Sequence, residues 1–218
     1  MIKGYIKKIY STIIGIGREA YYKRLRKKLK VTNPTIIANN CVGTFIYHNL
    51  GLRYDSPTIN LTISKTDFIV FVQHLSGFLH SELIKVEDPS VPYPIGRLEY
   101  NGDSIQINFL HYKTFEEAKY KWDERKERVD YSNIYIIQQI SDGVTEDDIH
   151  TFDSLPYKNK LLITSKNITN SKNVVALKVL QKRPKTYHPG IILDYKPPFF
   201  LKQYMDDIDY VGFLNAGK

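Results

Sequence analysis

Short apolar runs alternate with helical stripes along residues 35–180, and this alternation constrains the fold more than any other feature of the chain. Strand candidates fall at residues 36–40, 58–63, 104–110, 133–140, 160–164 and 174–180. Between them, Phe68, Phe71, Val72, Leu75 and Leu79 recur at helical spacing behind Thr66. Phe115, Ala118, Trp122, Arg125 and Val129 advance by 3, 4, 3, 4 behind Thr114, with Glu117 completing a capping box. Thr145 opens a shorter helix with Ile149 and Phe152 inward. Strands alternating with helices predict an α/β fold, here a three-layer, Rossmann-like, mostly parallel sheet. Asn101-Gly102, which suits a type I′ turn, adds one β-hairpin and makes the sheet mixed. At 218 residues the chain can bury one substantial core. The sequence therefore divides into a basic N-terminal segment (1–33) and a single α/β domain (34–218), whose proline-containing tail wraps the body from about residue 181.

The net charge of +8 is not evenly spread. Residues 1–30 hold ten Lys and Arg against Glu19, whereas the other 188 residues hold 21 basic and 22 acidic side chains. A nucleic-acid-binding body carries its charge on its folded face; this body is neutral, so nucleic acid is not an expected partner. In the basic segment Ile2, Ile6, Ile9, Ile13, Ile16 and Ala20 repeat at spacings of 4, 3, 4, 3, 4, a helical stripe beside lysines. Its uncharged stretch is too short to span a bilayer. A basic amphipathic helix of this kind suits the plane of an anionic membrane surface. The expected location is cytoplasmic, with residues 1–30 resting on the inner face of the plasma membrane.

If the strands are mutually parallel, their carboxyl ends converge, and ligands of open α/β sheets bind there. Those ends offer Asn39, Asn40 and Cys41; His111 and Tyr112; Ser141, Asp142 and Gly143; and Ser165, Lys166 and Asn167. A thiol, an imidazole and a carboxylate supply a nucleophile, a base and its orienter. Cys41, the single cysteine, precedes a helix, which favours thiolate. Arg125 lies on an apolar stripe beside Trp122, where a guanidinium needs a partner or a phosphate-bearing ligand. The histidines show no metal-ligand spacing, and no metal is expected.

In order along the chain stand Asn39, Asn40, Cys41, Gly43 and Tyr47; Leu50, Gly51, Leu52, Tyr54, Ser56 and Pro57; then Phe109, Leu110, His111 and Tyr112. Glu117, Ala118, Trp122 and Arg125 follow, with Asp142, Gly143, Phe152, Asp153, Leu155, Pro156 and Tyr157. In this combination the chain resembles a bacterial family of exopolysaccharide biosynthesis proteins found beside capsule and lipopolysaccharide genes. Val42 and Thr44 depart from its pattern, which has an aromatic after the cysteine and a small residue after the glycine. The resemblance implies a three-layer α/β fold and a role in surface-polysaccharide assembly.

The leading expectation is an O-acyl (acetyl) transferase acting on a sugar or lipid-linked sugar, with Cys41 as nucleophile, His111 as base and Asp142 as orienter. Candidate substrate-binding residues are Asn39, Asn40, Tyr47, Tyr54, Ser56, Tyr112, Trp122 and Arg125. The alternative is a glycosyltransferase in which Arg125 and Asp142 hold a diphosphate and Cys41 is structural. The donor is accordingly acetyl-CoA or a nucleotide sugar. A third reading is a non-catalytic partner of the assembly machinery, docked through residues 1–30.

Overall fold

The computed structural model describes residues 2–166, 171–182, 184, 187–188 and 190–217, with side chains described from residue 12 onward. The body is α/β. Four parallel strands, β1 (Thr35–Ala38), β6 (Ile134–Ile140), β7 (Lys160–Thr164) and β8 (Val174–Ala176), lie in the order β1-β6-β7-β8. Every residue of β6 is buried, as expected of a central parallel strand covered on both faces. Ile36, Ala38, Tyr135, Ile137, Leu161 and Ile163 face one core; Ile37, Ile134, Ile136 and Leu162 face the other.

The hairpin is not part of that sheet. Strands β2 (Thr62–Ile63), β3 (Ile84–Val86), β4 (Ile95–Tyr100) and β5 (Asp103–Asn108) form a second, antiparallel sheet, ordered β2-β5-β4-β3. The single mixed sheet expected from the sequence is thus two sheets. Both Asn101 and Gly102 have positive φ, so the Asn-Gly turn forms as read. The second sheet packs with α3 (Lys65–Gln73), α4 (Leu75–His80), α5 (Phe115–Lys126) and α6 (Glu146–Ser154) around one face of the parallel sheet. α2 (Val42–Leu50), α7 (Lys178–Lys182), α8 (Tyr210–Asn215) and the second half of α1 (Ile2–Lys28) cover the other.

Capping residues set the helix starts. Ser64, rather than Thr66, caps α3 by accepting from Asp67 N, and Thr114 caps α5 through Glu117 N. Residues 67–80 were expected as one helix, yet His74 leaves the helical region (φ −121°) and splits it in two. Residues 174–180 divide likewise, into β8 and α7.

The basic segment does not stand apart from the body. Tyr22 is buried and donates to Gln203 Oε1 and Asp206 Oδ2 (3.2 and 3.1 Å). Arg26 donates to Asn49 O at 2.9 Å, and Asn215 ties Lys28 O and Lys30 N to α8. The tail wraps this face, with the Tyr135 hydroxyl donating to Leu214 O at 2.8 Å.

Candidate functional site

The chain after β1 turns directly into α2, and Gly43 permits it: a Cβ there would come within 3.0 Å of the Ala38 Cβ. β1 and β6 run parallel, so Asn39, Asn40 and Cys41 meet Gln139, Ser141 and Asp142 at one carboxyl edge. Asn39 extends the ladder with its side chain, donating to Gln139 O (3.1 Å) and accepting from Gln139 N (2.8 Å). Asn40 donates to Gln139 Oε1 (2.8 Å) and accepts from Val42 N (3.0 Å), while Gln139 Nε2 donates to Ser141 Oγ (2.6 Å). Gln139 links this edge and was not singled out in the sequence, where it reads only as an interruption of an apolar run. Asp142 is exposed and accepts from the Tyr187 hydroxyl at 3.4 Å. Ser165 is buried at the neighbouring strand end, and Asn167 lies outside the described residues.

Cys41 occupies the N-cap position of α2, but it is 9% exposed and its Sγ lies 4.0 Å from Leu61 O, to which it donates. Burial pushes the thiol above its ordinary value, so the helix N-terminus does not hold a thiolate here. His111 does not end a strand of the parallel sheet. It follows β5, an antiparallel strand of the other sheet, and sits exposed in a turn. Among the described residues it makes no hydrogen bond or ion pair with Cys41 or Asp142.

Tyr47 and Ser56 serve the free edge of β1. The buried Tyr47 hydroxyl accepts from Ile36 N (2.9 Å) and donates to Pro34 O (2.7 Å). Thr58 Oγ1 accepts from Ala38 N (3.0 Å), and Ser56 Oγ lies 3.0 Å from that same oxygen. These are the two β1 N–H groups that point away from β6, so side chains block an edge that would otherwise pair with another strand.

Tyr54, Tyr112 and Arg125 form a second constellation. Arg125 donates to the Tyr112 hydroxyl at 2.7 Å, and that hydroxyl donates to Ile59 O at 3.1 Å. The guanidinium carbon lies 5.7 Å from the centre of the Tyr54 ring. Arg125 is half-buried and has no carboxylate partner among the described residues. Its neighbour Arg128 is instead paired with Glu124 and donates to Tyr54 O at 3.3 Å. Asp55 is buried nearby; its Oδ1 lies 3.3 Å from Arg53 Nε, but no donor is aligned on it. Trp122 is sealed among Phe71 and Phe109, its indole N–H without a partner.

A family model described as a domain of unknown function (DUF1919) matches residues 15–215. The chain belongs to the DUF1919 family. An uncharacterized protein of Haemophilus influenzae strain Rd is 34% identical to it over 209 residues, 96% of this chain and 97% of that protein. The DUF1919 match begins within α1, before Tyr22, so the part of the helix that packs on the body falls inside the family region. Both constellations, at Asn40–Ser141 and at Arg125, also lie inside it.

Proposed function

We propose that this DUF1919 protein is a nucleotide-sugar-dependent transferase of bacterial surface-polysaccharide assembly, working at an anionic membrane surface. The observation that carries the reading is Arg125: a half-buried guanidinium without a carboxylate partner among the described residues, oriented by Tyr112 and flanked by the Tyr54 ring. An oriented guanidinium binds phosphate oxygens in a fork, and the face of Tyr54 adds a surface for a planar group. Cys41 serves packing in this scheme, because its thiol is buried and held protonated. The resemblance to exopolysaccharide biosynthesis proteins supplies the polysaccharide context. The ten basic residues within positions 1–30 supply the attraction to anionic lipid.

Thermal shift with a panel of nucleoside-diphosphate sugars, run beside acetyl-CoA, tests the reading. A ligand at one hundred times its Kd stabilises by about 2.7 kcal/mol, a rise of about 5–10 °C in the midpoint for a chain of this size. A nucleotide sugar is expected to give that rise in the native chain but not in Arg125→Ala. Stabilisation by acetyl-CoA alone, kept in Arg125→Ala, would return the acyl-transfer reading. Silence from every donor would favour a non-catalytic docking partner.

A further inference from the structure

The described part of the α1 stripe, Ile13, Ile16 and Ala20, faces away from the body. Ile13 and Ile16 are 62% and 66% exposed, whereas Tyr22, Leu25 and Leu29, on another face of the chain, pack inward. A helical stripe of isoleucines normally covers a core, and among the described residues Ile13 and Ile16 have none to cover. Continuing at the same spacing, the outward face passes from Ile13, Ile16 and Ala20 to Lys23, Arg24 and Lys27, all exposed. The stripe also extends backward in sequence through Ile9, Ile6 and Ile2.

A second apolar element is fixed beside it. Residues 194–204 fold back on themselves: Lys196 N donates to Lys202 O (2.7 Å), Phe200 N to Lys196 O (2.9 Å) and Tyr204 N to Asp194 O (3.0 Å). The tip carries Phe199, 73% exposed, and Phe200, which holds φ +52°, a region bulky side chains rarely adopt. Arg18 clamps this tip to α1, donating to Phe200 O at 2.7 Å and stacking 3.4 Å from the centre of the Tyr195 ring. Gly17 lets Leu201 close in, since a Cβ there would come within 2.6 Å of Leu201 Cδ2. Lys196 and Lys202 flank the tip, with a groove of about 210 Å³ between them and Phe199.

We infer that the outward stripe of α1 and the Phe199–Phe200 tip form one composite surface that seats in the interface of an anionic bilayer. The tip acts as an aromatic wedge and Lys23, Arg24 and Lys27 lie against lipid headgroups. Charge complementarity selects this occupant: the exposed apolar groups are bordered by exposed cations, which a second copy of the same surface would bring against one another. Among the described residues no helix is long and apolar enough to cross a membrane, so the geometry is that of a surface-lying element. The inference rests on the membrane-surface part of the proposed function and adds that binding has an apolar, salt-resistant component located at the tip.

Vesicle co-sedimentation of the full chain tests it, using phosphatidylcholine alone and mixed with phosphatidylglycerol, at low and physiological salt. The native chain is expected to bind the mixed vesicles and to retain part of that binding at physiological salt. Phe199→Ala/Phe200→Ala should bind at least about tenfold more weakly at physiological salt, the loss from withdrawing two partly inserted phenyl rings. At low salt this variant should still bind through its cations. A Phe199→Trp variant reads insertion directly, because the native Trp122 is buried and gives a constant background. Its added emission should shift blue on mixed vesicles and be quenched by brominated lipid. Unchanged affinity of the double alanine variant, with no shift for Phe199→Trp, would overturn the wedge while leaving electrostatic docking standing. No binding by the native chain at low salt would overturn both. A concentration-dependent dimer that Ile13→Ser/Ile16→Ser dissolves would assign the stripe to a second copy and also overturn the proposal.

Discussion

The Tyr112 hydroxyl stands between Arg125 and the chain that follows Thr58: it accepts from the guanidinium at 2.7 Å and donates to Ile59 O at 3.1 Å. One hydroxyl thus sets both the orientation of a cation on α5 and the position of the segment leading into β2. Tyr112→Phe is expected to cost about 1 kcal/mol of stability, or about 2–4 °C in the midpoint. Arg125 is no longer oriented in this variant, so nucleotide-sugar affinity should fall as well, as titration calorimetry would show.

Cys41 is expected to resist alkylation in the folded chain. Iodoacetamide requires thiolate, and burial raises the thiol's pKa as well as shielding it. Mass spectrometry should find Cys41 unmodified at pH 7–8 after an exposure that labels the urea-unfolded chain completely. Rapid labelling of the folded chain at pH 7 would contradict this.

Alkaline pH should destabilise the fold through its half-buried phenols. Tyr21 and Tyr157 are both pushed up to about 12, chiefly by burial. The unfolded chain releases these protons first, near the ordinary tyrosine value of about 10. Their contribution is therefore intact below about pH 10 and is lost as pH rises from there through about 12. Urea midpoints measured from pH 8 to 11 should fall only at the upper end, with Tyr157→Phe flattening part of the decline.

Asp206 is expected to be the main tie between α1 and the tail. It accepts from the Tyr22 and Tyr210 hydroxyls (3.1 and 2.9 Å) and from Gln203 N (2.7 Å), although burial pushes its carboxyl up. Asp206→Ala should cost about 2–4 kcal/mol by leaving buried donors unpaired. Hydrogen exchange should show faster opening at residues 22–28 than in β6.

Much of the layering was legible because burial leaves a periodic trace. The apolar run at 134–140, interrupted only by Gln138 and Gln139, is β6, and Thr114 and Thr145 cap the helices they were expected to cap. Whether a strand lies at the edge or the centre leaves no such trace. Tyr47 and Ser56 therefore read as pocket residues, although with Thr58 they block the open side of β1. Local alternation likewise cannot say which sheet a hairpin joins, so His111 follows an antiparallel strand rather than ending a parallel one. The α1 stripe was visible, but the Phe199–Phe200 turn beside the helix was not, because period gives a face and not its neighbour. Arg125 was found by the charge it places on an apolar stripe, a conflict that local sequence does display.

Titration calorimetry on three 218-residue chains decides between the two donors: native, Arg125→Ala and Cys41→Ser, each with nucleoside-diphosphate sugars and with acetyl-CoA. A nucleotide sugar is expected to bind the native chain, to bind Arg125→Ala at least about tenfold more weakly, as when a charge-assisted phosphate contact is removed, and to bind Cys41→Ser unchanged. Acetyl-CoA binding that survives Arg125→Ala, in a chain that binds no nucleotide sugar, would contradict that expectation.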